Sequence, residues 1–183
     1  RSGQEVKISK RAGSYVTIRD LIDEVGRDAT RFFLAARRVD SQLTFDIDLA
    51  RSQSNENPVY YIQYAHARIC SLLRKLEQEG VSRGRNESLG DFALLTLEEE
   101  KDLANQLARY PELVEHSANQ REPHHISHYL RELAGQFHTY YNAHKVLIEN
   151  TAVRDARLSL YLAVRQVIAN GLDLLGVSAP EEM

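Results

Sequence analysis

Residues 58–80 read PVYYIQYAHARICSLLRKLEQEG, and their periodicity decides the fold class. At 100° per residue, Ile62, Ala65, Ile69, Leu72, Leu73 and Leu76 fall on one stripe, the signature of a helix with a single buried face. Pro58 suits a first helical position, where its missing N–H costs nothing, and Gly80 suits a stop. The pattern predicts a helix from Pro58 to about Gln78. Tyr61, Tyr64 and Arg68 form a second stripe about a quarter-turn from the first, placing ring, ring and guanidinium on three consecutive turns at the edge of the core. Unpaired nucleobases stack on such planar groups, and an arginine there also suits a phosphate. Boundary tyrosines equally serve to cover a core rim. Spacing alone leaves both readings open.

The rest of the chain is patterned the same way. TIRDLIDEVG (17–26) predicts a short helix with Thr17 as N-cap, Asp20 three residues on and Gly26 as its stop; a second follows through RDATRFFLAAR (27–37). A turn and a brief extended piece around Leu43–Phe45 lead to another short helix capped by Asp46. VSRGRNESLGDF (81–92) is loop by composition. TLEEEKDLANQLARYP (96–111) opens with a capping pattern and predicts a helix stopped by Pro111. Pro123 opens the next helix, with Ile126, Tyr129, Leu130, Leu133, Phe137, Tyr140 and Tyr141 at helical spacing. A last helix spans about 153–175, with Leu160, Val164, Val167, Ile168, Leu172 and Leu175 on one face and Gly176 after it. No run has the period of a strand. The expected fold is an all-α helical bundle preceded by a short N-terminal stem segment.

Composition narrows the possible functions. The 183 residues, 43 % hydrophobic and 27 % charged, suit one globular domain with a real core. A single cysteine, Cys70, excludes an internal disulfide and fits a reducing cytoplasm. No apolar run approaches the roughly 18 residues of a membrane span, and the polar, basic start without a methionine reads as a piece of a longer chain. The net charge of −3 is unevenly spread. Residues 1–85 carry 15 Lys/Arg against 11 Asp/Glu, a balance of +4; residues 86–183 carry 8 against 15, a balance of −7. A basic front half can direct a phosphate backbone to one face.

Four segments, in order, carry a resemblance: VKISKRAGSYVTIRDLIDEVGRDATRFFLA (6–35), FDIDLARSQSNENPVYYIQYAHARI (45–69), FHTYYNAHKVL (137–147) and RLSLYLAVRQVIANGLDLLGVSAPEEM (157–183). Together they resemble the end of the catalytic domain and the DALR-type anticodon-binding domain of bacterial arginyl-tRNA synthetases, which are class I enzymes. The resemblance is weakest between about residues 80 and 120. It implies that residues 1–45 are the end of a catalytic domain and its stem, and 46–183 a helical anticodon-binding domain. The implied activity is ATP-driven joining of arginine to tRNA-Arg, in the cytoplasm, by a monomer. The implied cofactor is ATP, with magnesium, used by the full-length enzyme and not bound by this chain alone, which lacks the nucleotide-binding half. Lys7 and Lys10 fall on the two lysines of a KMSKS-type loop that stabilises the ATP phosphates; Ile8 stands for its Met and Arg11 for its final Ser. Tyr61, Tyr64 and Arg68 match the family's Y-x-x-Y-x-x-x-R pattern facing the anticodon loop, and Tyr141 an aromatic near that loop. Met183 matches a C-terminal Met able to pack beside a base, although the tail APEEM has acidic residues where relatives usually carry Arg.

Other groups invite rival chemistry. His124, His125 and His128 form HHxxH. No cysteine or acidic residue has convincing spacing as a third donor, so the stretch reads as an exposed helix start with no metal. His66 and Cys70 lie i, i+4, but no third group would orient a Cys–His nucleophile; they read as a boundary histidine and a buried thiol.

Overall fold

The computed structural model describes residues 16–80 and 91–183, and all regular structure among them is helical. In chain order the α-helices are α1 (Ile18–Val25), α2 (Arg27–Ala35), α3 (Ile47–Arg51), α4 (Pro58–Gln78), α5 (Glu98–Ala108), α6 (Tyr110–Gln120), α7 (His124–Ala143) and α8 (Thr151–Leu174), with a 3₁₀ turn at Phe92–Leu94. No described helix is long and apolar enough to cross a membrane. The predicted all-α bundle is the observed fold.

Helix starts are set by local side chains. The Thr17 hydroxyl accepts from the Asp20 amide at 3.1 Å while the Asp20 carboxylate accepts from the Thr17 amide at 2.8 Å, a reciprocal capping box. Asp46 caps α3 by accepting from the Leu49 amide at 3.0 Å, and Asn150 caps α8 through the Val153 amide at 3.2 Å. Asn57 caps α4 through the Val59 amide and also donates to the Ala50 and Ser52 carbonyls at 3.2 and 2.8 Å. One buried amide thereby ties α3 to the start of α4. Gly26, at φ +84°, lets the chain leave α1 and enter α2 at once.

Two expectations need correction. Pro111 does not simply stop the preceding helix. The chain leaves α5 after Ala108 and starts α6 at Tyr110, with Pro111 in the first turn, where proline is tolerated. A proline that reads as a terminator in sequence is here also an opener. The start of α7 is not uniformly exposed either: His128 faces solvent, but His124 is buried.

The core forms where α4, α5, α7 and α8 meet. Ile62, Ala65 and Ile69 of α4 pack with Leu103, Leu130, Leu133, Phe137, Val164, Ile168 and Leu172 in one cluster, which also includes Ala29 and Phe32 of α2. Helices α7 and α8 approach closely at Gly171. A methyl group there would lie 2.7 Å from Cδ2 of Leu130, itself fully buried. Gly171→Ala is therefore expected to lower stability by about 1–3 kcal/mol through overpacking, read by urea denaturation. Trimming Leu130 to Val should recover part of the loss; a neutral Gly171→Ala would show that the two helices separate freely.

Candidate nucleic-acid interface

The second stripe of α4 meets α7 along an aromatic seam. Tyr61, Tyr64, Arg68 and Tyr141 are all half-buried, neither sealed in the core nor fully free. The Arg68 guanidinium carbon lies 4.0 Å from the centre of the Tyr141 ring and 5.4 Å from that of Tyr64, so the cation is held between rings from two helices. Arg68 also donates to Asn142 Oδ1 at 2.8 Å and to Nδ1 of His138 at 3.1 Å.

That last contact fixes a tautomer. A guanidinium has no acceptor, so Nδ1 of His138 accepts and the ring proton sits on Nε2, which donates to the Tyr61 carbonyl at 3.2 Å. Burial, with help from the Arg68 cation, holds the imidazole below its usual range, which keeps it neutral at neutral pH. His138 in turn stacks on Tyr64 (ring centres 5.5 Å apart, 23° between planes) and lies 4.5 Å from Tyr61. Tyr60 extends the row, stacked on Tyr64 at 6.1 Å and 13°. The result is a run of four planar groups, Tyr60, Tyr64, His138 and Tyr61, braced by Arg68. Two of its members escaped the sequence reading. Tyr60 lies off the wheel stripe, although its i, i+4 relation to Tyr64 signals the stack. His138 comes from a helix 70 residues on, and no local period points to it.

A cleft of about 340 Å³ opens beside this row, among α2, α3, α4 and the C-terminus. Asp28, Arg51, Asn57, Tyr60, Gln63 and Met183 contribute to its walls. The C-terminal residues are laid along α4 by polar contacts. The Gln63 amide donates to Asp28 and to the Ser178 carbonyl, both at 2.9 Å, and the Ser178 hydroxyl donates to Asp28. Nδ1 of His66 donates to the Pro180 carbonyl at 2.8 Å. Arg74 donates to the Glu181 carbonyl at 3.2 Å and pairs with Glu182 at 3.4 Å. The acidic tail thus has a cation of its own chain beside it, while Met183 stays 54 % exposed. His66 and Cys70 are both buried, as expected of the thiol and more deeply than expected of the histidine. Lys7 and Lys10 lie outside the described residues.

The structure is a helical bundle with a braced row of planar side chains on one edge, and the comparisons give it a class. The chain belongs to the DALR anticodon-binding domain family, whose profile matches residues 62–183. The relatives are more particular. All 183 residues align at 58 % identity with the arginine–tRNA ligase of Thioalkalivibrio sulfidiphilus and at 54 % with that of Coxiella burnetii. The chain spans about a third of those proteins, 31 % of each. The solved arginyl-tRNA synthetase of Thermus thermophilus superposes with a TM-score of 0.73 at 31 % identity, over 95 % of this chain and 29 % of that one.

Proposed function

We propose that this chain is the tRNA-binding part of an arginine–tRNA ligase and that it grips the anticodon stem-loop of tRNA-Arg. The observation that carries the reading is the half-open row of planar side chains on α4, set in a domain of the anticodon-binding family. Splayed bases stack on such rings with little regard to sequence, at about 1–3 kcal/mol per base. Tyr61, Tyr64 and Tyr141 would supply ring faces, Arg68 would hold two of those rings in place, and Met183 would pack beside a base at the neighbouring cleft. In this proposal residues 1–45 end the catalytic domain and its stem, and residues 46–183 form the RNA-binding unit. Lys7 and Lys10 would steady the phosphates of ATP, with magnesium, in the full enzyme. The setting would be the cytoplasm, and the chain a monomer.

The test is chemical footprinting of tRNA-Arg by the 183-residue chain. Protection concentrated on the anticodon stem-loop, and lost as salt rises, is the expected result. Uniform protection, or none, would reject the assignment.

A further inference from the structure

The chain reverses between α6 and α7 at Arg121, whose φ of 57° and ψ of 41° are left-handed. The Arg121 amide donates to the Ala118 carbonyl at 3.2 Å and the Glu122 amide to the Ser117 carbonyl at 2.9 Å, so the end of α6 folds back on the start of α7. This places His116 against His125, with ring centres 5.4 Å apart. Nε2 of His125 lies 2.9 Å from a carboxylate oxygen of Glu122. One donor atom from each of His116, Glu122 and His125 lies within 4.8 Å of the other two. Of the HHxxH residues only His125 takes part; the other two donors come from α6 (His116) and from the turn between the helices (Glu122).

We propose that His116, Glu122 and His125 form a binding site for a borderline divalent transition metal of the Zn²⁺ type, with water completing the coordination. Two imidazoles and one carboxylate are a known three-residue zinc donor set. They suit Zn²⁺ or Co²⁺ far better than Mg²⁺ or Ca²⁺, which favour oxygen alone. Bonds of about 2.0–2.2 Å to one ion hold donors closer together than 4.8 Å, so metal binding would draw the three side chains inward. The site is reachable, since His116 is exposed and the other two are half-buried. It also has something to hold: Ser117 is the one fully buried residue of α6, and Tyr110 and Leu113 are only partly buried against the core, so a metal clip from α6 to α7 adds a further anchor at the far end of the helix. His124, whose ring centre lies 4.2 Å from that of His125, limits how far that ring can turn.

The experiment titrates the chelator-stripped 183-residue chain with Zn²⁺ by calorimetry, and with Co²⁺ by visible absorption. One ion per chain is expected, with a rise in melting temperature because only the folded state presents the triad. His116→Ala and His125→Ala should each weaken Zn²⁺ at least tenfold and remove the thermal shift. His116 is exposed, so His116→Ala should leave the circular dichroism spectrum and the metal-free melting temperature unchanged. His128→Ala should bind as the parent does. No stoichiometric binding, binding that survives His116→Ala, or binding lost in His128→Ala would each overturn the site.

Discussion

Glu100→Ala is expected to lower the stability of the bundle by about 3–5 kcal/mol, the cost of orphaning one partner of a buried ion pair. Glu100 is 1 % exposed. Its carboxylate accepts from Nε of Arg157 at 2.8 Å, from the Tyr140 hydroxyl at 2.7 Å and from the Leu97 amide at 3.1 Å. It therefore joins α5, α7 and α8 and caps the first turn of its own helix. Removing it strands a guanidinium that is only 13 % exposed, leaving it the Lys145 carbonyl at 2.9 Å, and leaves the Tyr140 hydroxyl without that acceptor. For a chain of this length the loss corresponds to a melting point lower by roughly 6–20 °C. The double change Glu100→Leu with Arg157→Met should cost much less than Glu100→Ala alone, because no charge is then left buried without its partner. Thermal unfolding of the parent and of the two variants decides it. Equal costs for the single and double variants would show that the network acts through packing and not through paired charge.

The second large effect concerns RNA. Tyr64→Ala removes the ring that stacks on both Tyr60 and His138, and Tyr61→Ala removes the far end of the same row. At about 1–3 kcal/mol for each base that loses its platform, affinity for the anticodon stem-loop should fall roughly 5- to 150-fold for each substitution. Tyr→Phe at the same positions keeps the ring and should retain most of the affinity. Arg68→Lys should resemble a ring deletion more than a conservative change, since lysine cannot lie flat between Tyr64 and Tyr141 while donating to His138 and Asn142. Fluorescence anisotropy with the isolated stem-loop measures all of these. Alanine variants that bind as the parent does would remove the stacking row from the mechanism, and with it the physical case for this edge as the RNA-binding face.

Much of the fold was legible because helices announce themselves locally. The core stripe of α4, the caps Thr17 and Asp46 and the glycine stops depend on neighbours within a few residues. The misreadings arose where a local signal had two meanings. Pro111 marks a boundary without saying whether a helix ends or begins there. The early histidines of α7 divide between core and solvent according to the helices that pack against them.

By itself the sequence determined that the chain is helical, where its apolar faces run, and that Tyr61, Tyr64 and Arg68 share one edge of α4. Those properties follow from the 3.6-residue period and from capping groups a turn away, so linear order suffices. Tertiary structure alone decided that Arg68 is clamped by Tyr141, His138 and Asn142, that Glu100 joins three helices, that the C-terminal residues lie along α4, and that His116 meets Glu122 and His125. Each of these depends on the packing and relative rotation of separate segments, which are set by how side chains across the whole bundle fill space together.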